Sequence, residues 1–190
     1  SPMTRKLDHI LVVDVEATCW QGDPPPGQRS EIIEVGLCLL EVATLTRAAR
    51  RSILVRPACS TVSAFCTELT TLTQADVETG IPLAQACQAL AQEYQASARL
   101  WASYGDYDRQ QFVRNCGESG IPYPFGPGHL NIKTLLAVTL GLKREVGMRN
   151  GLAALGLPLE GTHHRAGDDA WNIAAILAEV LRRARAERAR

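Results

Sequence analysis

Apolar residues run unbroken through Ile10-Leu11-Val12-Val13 and stop at Asp14-Val15-Glu16. A segment that is apolar at every position reads as a strand buried on both faces, here over residues 9–16. Two further strand patterns follow, Glu31–Val42 and Ala48–Val55, and are predicted to continue from the first as an antiparallel meander. Between the first two strands lies Trp20-Gln21-Gly22-Asp23-Pro24-Pro25-Pro26-Gly27-Gln28-Arg29, whose Pro and Gly content excludes regular structure. Thr73-Gln74-Ala75-Asp76 carries a helix N-cap pattern. Pro82-Leu83-Ala84 opens a longer helix to about Ala96, and Arg99–Ser103 is a fourth strand. Helices are then predicted over Tyr107–Cys116, Ile132–Leu140, Met148–Leu155 and Gly167–Arg188. Strands first and helix–strand alternation later predict an α/β chain with a mixed sheet and helices on its faces. No repeat or linker divides it, so residues 1–190 are expected to form one domain, with 1–6 as an N-terminal extension.

Composition narrows the function classes. With 46% hydrophobic and 21% charged residues, the chain has the makeup of a folded globular protein. Its formal net charge of zero argues against a tight, nonspecific duplex binder. It leaves open an enzyme that attracts phosphate through bound cations. One concentrated basic stretch closes the chain: Arg182, Arg183, Arg185, Arg188 and Arg190. The six cysteines include no C-x-x-C pair, which disfavours a structural zinc site and predicts buried free thiols. Nothing resembles a signal peptide and no apolar run is long enough to span a membrane, so the expected location is cytoplasmic.

The chemistry gathers at three doubled positions. Asp14 and Glu16 stand at i and i+2 of a strand, on one face and roughly 7 Å apart. Carboxylates so placed can share one cation and reach a second. A solvated strand end is the common alternative, but the apolar run before them makes this strand central. Near the C-terminus, His163-His164-Arg165-Ala166-Gly167-Asp168-Asp169 offers two pairings of equal spacing. Steps of three and four from Asp169 reach Ile173, Ile176, Leu177, Val180 and Leu181, an apolar face; from Asp168 they reach Asn172, Ala175, Glu179 and Arg182. Asp169 is therefore expected inside and Asp168 outside, as a first-turn charge favoured by the helix dipole. The same spacing selects His164 over His163, which is expected to be a surface or supporting residue beside Asp168. In Asp106-Tyr107-Asp108, Asp108 shares a helical face with Phe112 and Cys116, and Asp106 reads as a helix cap.

With these residues in this order, the chain resembles the DEDDh 3′→5′ exonucleases of the RNase H-like fold. It is most similar to the branch of the 3′ histone-mRNA exonuclease and the KapD-like proteins. Supporting stretches include Glu16-Ala17-Thr18-Cys19, Glu31-Ile32-Ile33-Glu34-Val35-Gly36, Phe65-Cys66-Thr67-Glu68-Leu69-Thr70-Thr71-Leu72-Thr73-Gln74, Asn131-Ile132-Lys133 and Asp168-Asp169-Ala170-Trp171-Asn172. The chain departs from the family at Thr71 and Ala166, where glycine is frequent. The resemblance implies two Mg²⁺ or Mn²⁺ ions on Asp14, Glu16, Asp108 and Asp169, with His164 as general base. It implies a single-stranded 3′ end as partner, RNA rather than DNA, and a nucleoside monophosphate as product. Substrate contacts are expected near Ala17 and Thr18, and from Phe65, Leu72 and Tyr107, for which core packing is the alternative. A DNA exonuclease of the same superfamily and a noncatalytic binding module are the rival readings.

Overall fold

The computed structural model describes residues 5–190; residues 1–4, most of the expected N-terminal extension, lie outside the described residues. Lys6 already belongs to the first strand. The chain folds as β1 (Lys6–Ala17), β2 (Ile32–Glu41), β3 (Arg47–Leu54), α1 (Ala64–Thr70), α2 (Gln74–Glu78), α3 (Leu83–Glu93), β4 (Arg99–Ser103), α4 (Tyr107–Ser119), β5 (His129–Asn131), α5 (Ile132–Thr139), α6 (Met148–Ala154) and α7 (Ala166–Arg188). The strands form one sheet in the order β3-β2-β1-β4-β5. The first three pair antiparallel, and β4 and β5 add in parallel. β1 is central, which explains its apolar run: both faces are covered.

Alternation along β1 divides the core in two. Ile10 and Val12 face α5, α6 and α7, packing with Leu136, Leu152, Ile173 and Leu177. Leu11, Val13 and Val15 face α3 and α4, packing with Leu90, Trp101 and Phe112. Asp14 and Glu16 continue the parity of Ile10 and Val12, so they emerge on the α7 side. Two elements escaped the sequence pattern. α1 is only seven residues long and lies in a Thr-rich stretch, although Ser63 caps it by accepting from Cys66 N at 3.0 Å. β5 is three residues long and follows a Pro- and Gly-rich loop, too short for alternation to register. α2 carries the expected cap at Thr73, completed by Asp76 reaching back to Thr73 N. All six cysteines are free thiols, four of them buried.

The start of α7 is fastened to the sheet at two points. Gly36 on β2 lies so close to Ala166 that a Cβ there would overlap its carbonyl. Two residues earlier, fully buried Glu34 accepts from Ala166 N at 3.0 Å and binds the Arg165 guanidinium through both oxygens, at 3.1 and 3.2 Å. A register shift between Glu16 and Ala17 bends the β1–β2 ladder at the same level. Among the described residues, no helix is long and apolar enough to cross a membrane.

Candidate active site

β1 outruns its parallel neighbour, pairing with β4 only as far as Val12–Ala102. The free Val15 N–H beyond that point is taken by Asp108 Oδ1 at 2.9 Å, which docks the first turn of α4 against the end of β1. From the other side, α7 brings Asp169. Asp14, Glu16, Asp108 and Asp169 thus line one cavity of about 330 Å³, with His163 and His164 at its wall. Asp14, Glu16 and Asp169 offer carboxylate oxygens within 4.8 Å of one another. Asp169 is buried, and Asp168 turns outward to Arg50 and accepts from Thr162 N at 2.8 Å. The periodicity along α7 therefore selects the inward acid.

The cluster is electrostatically unfinished. Asp14 Oδ2 is buried and has no hydrogen-bond partner. Burial, followed by repulsion from Asp108, Glu16 and Asp169, holds the Asp14 carboxyl well above the usual carboxylate range. Burial and the Asp169 and Glu34 charges push Glu16 up to about 9. Burial pushes Asp108 up to about 7 against the opposing Val15 hydrogen bond, and raises Asp169 despite the His163 contact. Like charges this close cannot all ionise without a cation. Hard oxygen donors in this number suit a divalent ion such as Mg²⁺ or Mn²⁺, and the orphaned Asp14 oxygen is the donor it would satisfy.

Several expected positions are corrected. His163 is not paired with Asp168: its Nδ1 lies 3.0 Å from Asp169 Oδ1, and its ring stacks on His164. The cause is a positive φ of 66° at His164, which turns both rings to one side. His164 contacts Asp169 through its backbone N–H, at 2.9 Å, and its own imidazole is held below its ordinary pKa by burial and the His163 charge. Asp106 occupies the N-cap position of α4 but makes no capping bond, because Arg109 and Gln110 claim its carboxylate.

Of the expected substrate contacts, Ala17 and Tyr107 line the cavity and Tyr107 is more than half exposed. Leu72 does not line it; it packs in a small core with Ile33, Cys66 and Val77. Thr18 is fully buried, its hydroxyl bonded to Glu31 N and Ser60 and its backbone N–H to Glu31 O. Phe65 lies in an adjoining groove on α1 with Leu69, and Leu69 reaches the cavity wall. Cys19, Leu69, Tyr104 and Met148 also line it and went unread in the sequence. Leu69 had a signal: it follows Phe65 by one helical turn, behind a serine cap.

The sequence pattern of the exonuclease family RNase_T matches residues 11–177. The chain is 30% identical over 185 residues to 3′-5′ exoribonuclease 1 of Homo sapiens, covering 92% of this chain and 52% of the relative. It is 26% identical over 200 residues to the 3′-5′ exonuclease Snipper of Drosophila melanogaster, covering 94% and 71%. The chain therefore spans about half the length of the human relative. Among solved structures, the nuclease domain of 3′hExo, a DEDDh family member bound to rAMP, superposes with a TM-score of 0.84 at 28% identity, covering 92% of each chain. The matched region contains all of the sheet except the first residues of β1, and every acid that lines the cavity, and the chain belongs to the RNase_T exonuclease family.

Proposed function

We propose that this chain is a divalent-cation-dependent 3′→5′ exonuclease that shortens single-stranded RNA from its 3′ end, releasing 5′-mononucleotides. The observation that carries this reading is the convergence of four carboxylates, each pushed above the usual carboxylate range, and an imidazole on one open cavity. Relatives named as 3′-5′ exoribonucleases and a neighbour bound to rAMP support RNA and a nucleotide product. Asp14, Glu16, Asp108 and Asp169 would hold two ions, Mg²⁺ or Mn²⁺. When bound, these supply positive charge against the scissile phosphate and make water in the site more acidic.

The chain's own residues perform the remainder. His164, kept neutral near pH 7 by its lowered pKa, accepts the proton of the attacking water and later returns it to solvent. The leaving 3′ oxygen gains a proton as the phosphodiester breaks. Tyr107 and Leu69 present apolar surface at the mouth, where terminal bases can stack. Glu34 and Arg165 hold the turn that carries His164.

End-labelled RNA and DNA of matched sequence, incubated with Mg²⁺, test the reading. The expected result is a ladder that shortens from the 3′ end, faster on RNA, stopped by chelation and blocked by a 3′-phosphate. Faster degradation of DNA would assign the chain to DNA ends. Cutting of a circular single strand would mean endonuclease action and sink the proposal.

A further inference from the structure

Two imidazoles and a carboxylate stand at the start of α7 in an arrangement that the proposed hydrolysis does not require. His163, His164 and Asp169 each offer a ligand atom, and the three atoms lie within 4.8 Å of one another. Adjacent side chains of an extended chain point to opposite sides. The left-handed backbone at His164 instead stacks the two rings, with centroids 3.9 Å apart and planes inclined by 24°.

His163 Nδ1 stands 3.0 Å from Asp169 Oδ1. That is close to the spacing of about 3.3 Å between neighbouring ligands of a tetrahedral ion bound at about 2.0–2.1 Å. The backbone N–H of His164 holds the other Asp169 oxygen at 2.9 Å and fixes the carboxylate. The neighbouring charges are committed elsewhere, Arg165 to Glu34 and Asp168 to Arg50. Both rings are partly exposed, so an ion can enter and a fourth position remains for water.

Donor chemistry separates this cluster from the rest of the cavity. Asp14, Glu16 and Asp108 offer only carboxylate oxygen, which suits Mg²⁺ or Mn²⁺; two imidazoles and one carboxylate suit Zn²⁺. We propose that His163, His164 and Asp169 form a second cation site that takes Zn²⁺ and shares Asp169 with the all-carboxylate site. An ion there occupies the His164 nitrogen and withdraws Asp169 from the other acids, so zinc switches hydrolysis off reversibly. That consequence rests on the proposed function; the binding itself does not.

The test titrates the whole metal-free chain with Zn²⁺ by calorimetry and with Co²⁺ by visible absorption. In the wild type and in Asp14→Asn, we expect a site with the intense visible band of tetrahedral Co²⁺. His163→Ala should weaken zinc binding at least about tenfold, since loss of a direct ligand should cost no less than loss of an outer-shell partner. His163→Asn gives the same readout if the alanine variant does not fold. With Mg²⁺ present, added Zn²⁺ should inhibit the wild type more strongly than His163→Asn, each measured against its own zinc-free rate. Unchanged zinc affinity in both His163 variants would overturn the proposal. So would loss of zinc binding in Asp14→Asn with retention in the His163 variants, because the ion would then sit among the carboxylates. Zinc binding that depends on His163 in a chain without exonuclease activity would support the site and count against the hydrolytic reading alone.

Discussion

Two groups of buried acids lie side by side in this molecule and are treated in opposite ways. Glu31 receives Ala58 N at 2.9 Å, Cys59 N at 3.0 Å and the Ser60 hydroxyl, and its carboxyl is held below the usual range, these hydrogen bonds outweighing the upward push of burial. Glu34 is as thoroughly engaged, by Arg165, Ala166 N and Ser52. Asp14 and Glu16, on the neighbouring strand, face other acids, and Asp14 keeps an oxygen without a partner. Buried acids whose hydrogen bonds are complete serve architecture. Acids buried against one another are unstable until a ligand arrives, which marks a site of function rather than of folding.

The sharpest way to break this comparison is to remove an acid from each group. Asp14→Asn should reduce exonuclease activity to background while the metal-free protein unfolds at the same or a higher temperature, because like-charge crowding is relieved. Unfolding of the metal-free variant at a clearly lower temperature would place Asp14 with the architectural acids. His164→Ala should lower the single-turnover rate by about 10²–10⁴-fold and leave Mg²⁺ binding intact, with a smaller loss in His163→Ala. Equal losses, or a larger one at His163, would remove His164 from its role as base.

Glu34→Ala should cost about 3 kcal/mol of stability, near the low end for a broken buried pair because Arg165 is one-third exposed. Denaturant unfolding measures it, and a loss below that of an ordinary surface substitution would contradict the assignment. Glu31→Gln should cost less, about 1–2 kcal/mol, since it keeps one acceptor and sets an amide against a donor.

The last expected effect is a pH slope, gradual at any one pH. Glu16 is raised from 4.5 to about 9, so across that window the metal-free folded state holds a proton that the unfolded chain has released. Its contribution is therefore present at low pH and lost as pH rises through about 9; Asp14 and Asp169 act in the same direction. Glu31 acts oppositely: its lowered pKa gives stability above the ordinary glutamate range that is lost as pH falls through its folded value. Thermal melts of metal-free protein should thus decline in stability from about pH 5 to 9, and Asp14→Asn or saturating Mg²⁺ should flatten the decline. An unchanged slope in both conditions would mean that the acid cluster does not set it.

Much of this was legible along the chain because secondary structure imposes a period on it. The apolar run into Asp14 identified a central strand, and the two-residue period placed Glu16 beside Asp14. The helical period separated Asp169 from Asp168 and Asp108 from Asp106, since a step of one or two residues rotates a side chain away from the sheet. Tertiary structure alone decided what depends on partners distant in sequence. Leu72 is core because Ile33 and Val77 meet it, and Thr18 is withdrawn because Glu31 and Ser60 take its hydrogen bonds. The stacking of His163 on His164 needs a left-handed backbone at a nonglycine residue, a conformation no local pattern announces. It occurs where the start of α7 is tied to Glu34, more than a hundred residues earlier, so only the assembled sheet and helix bring both imidazoles to Asp169.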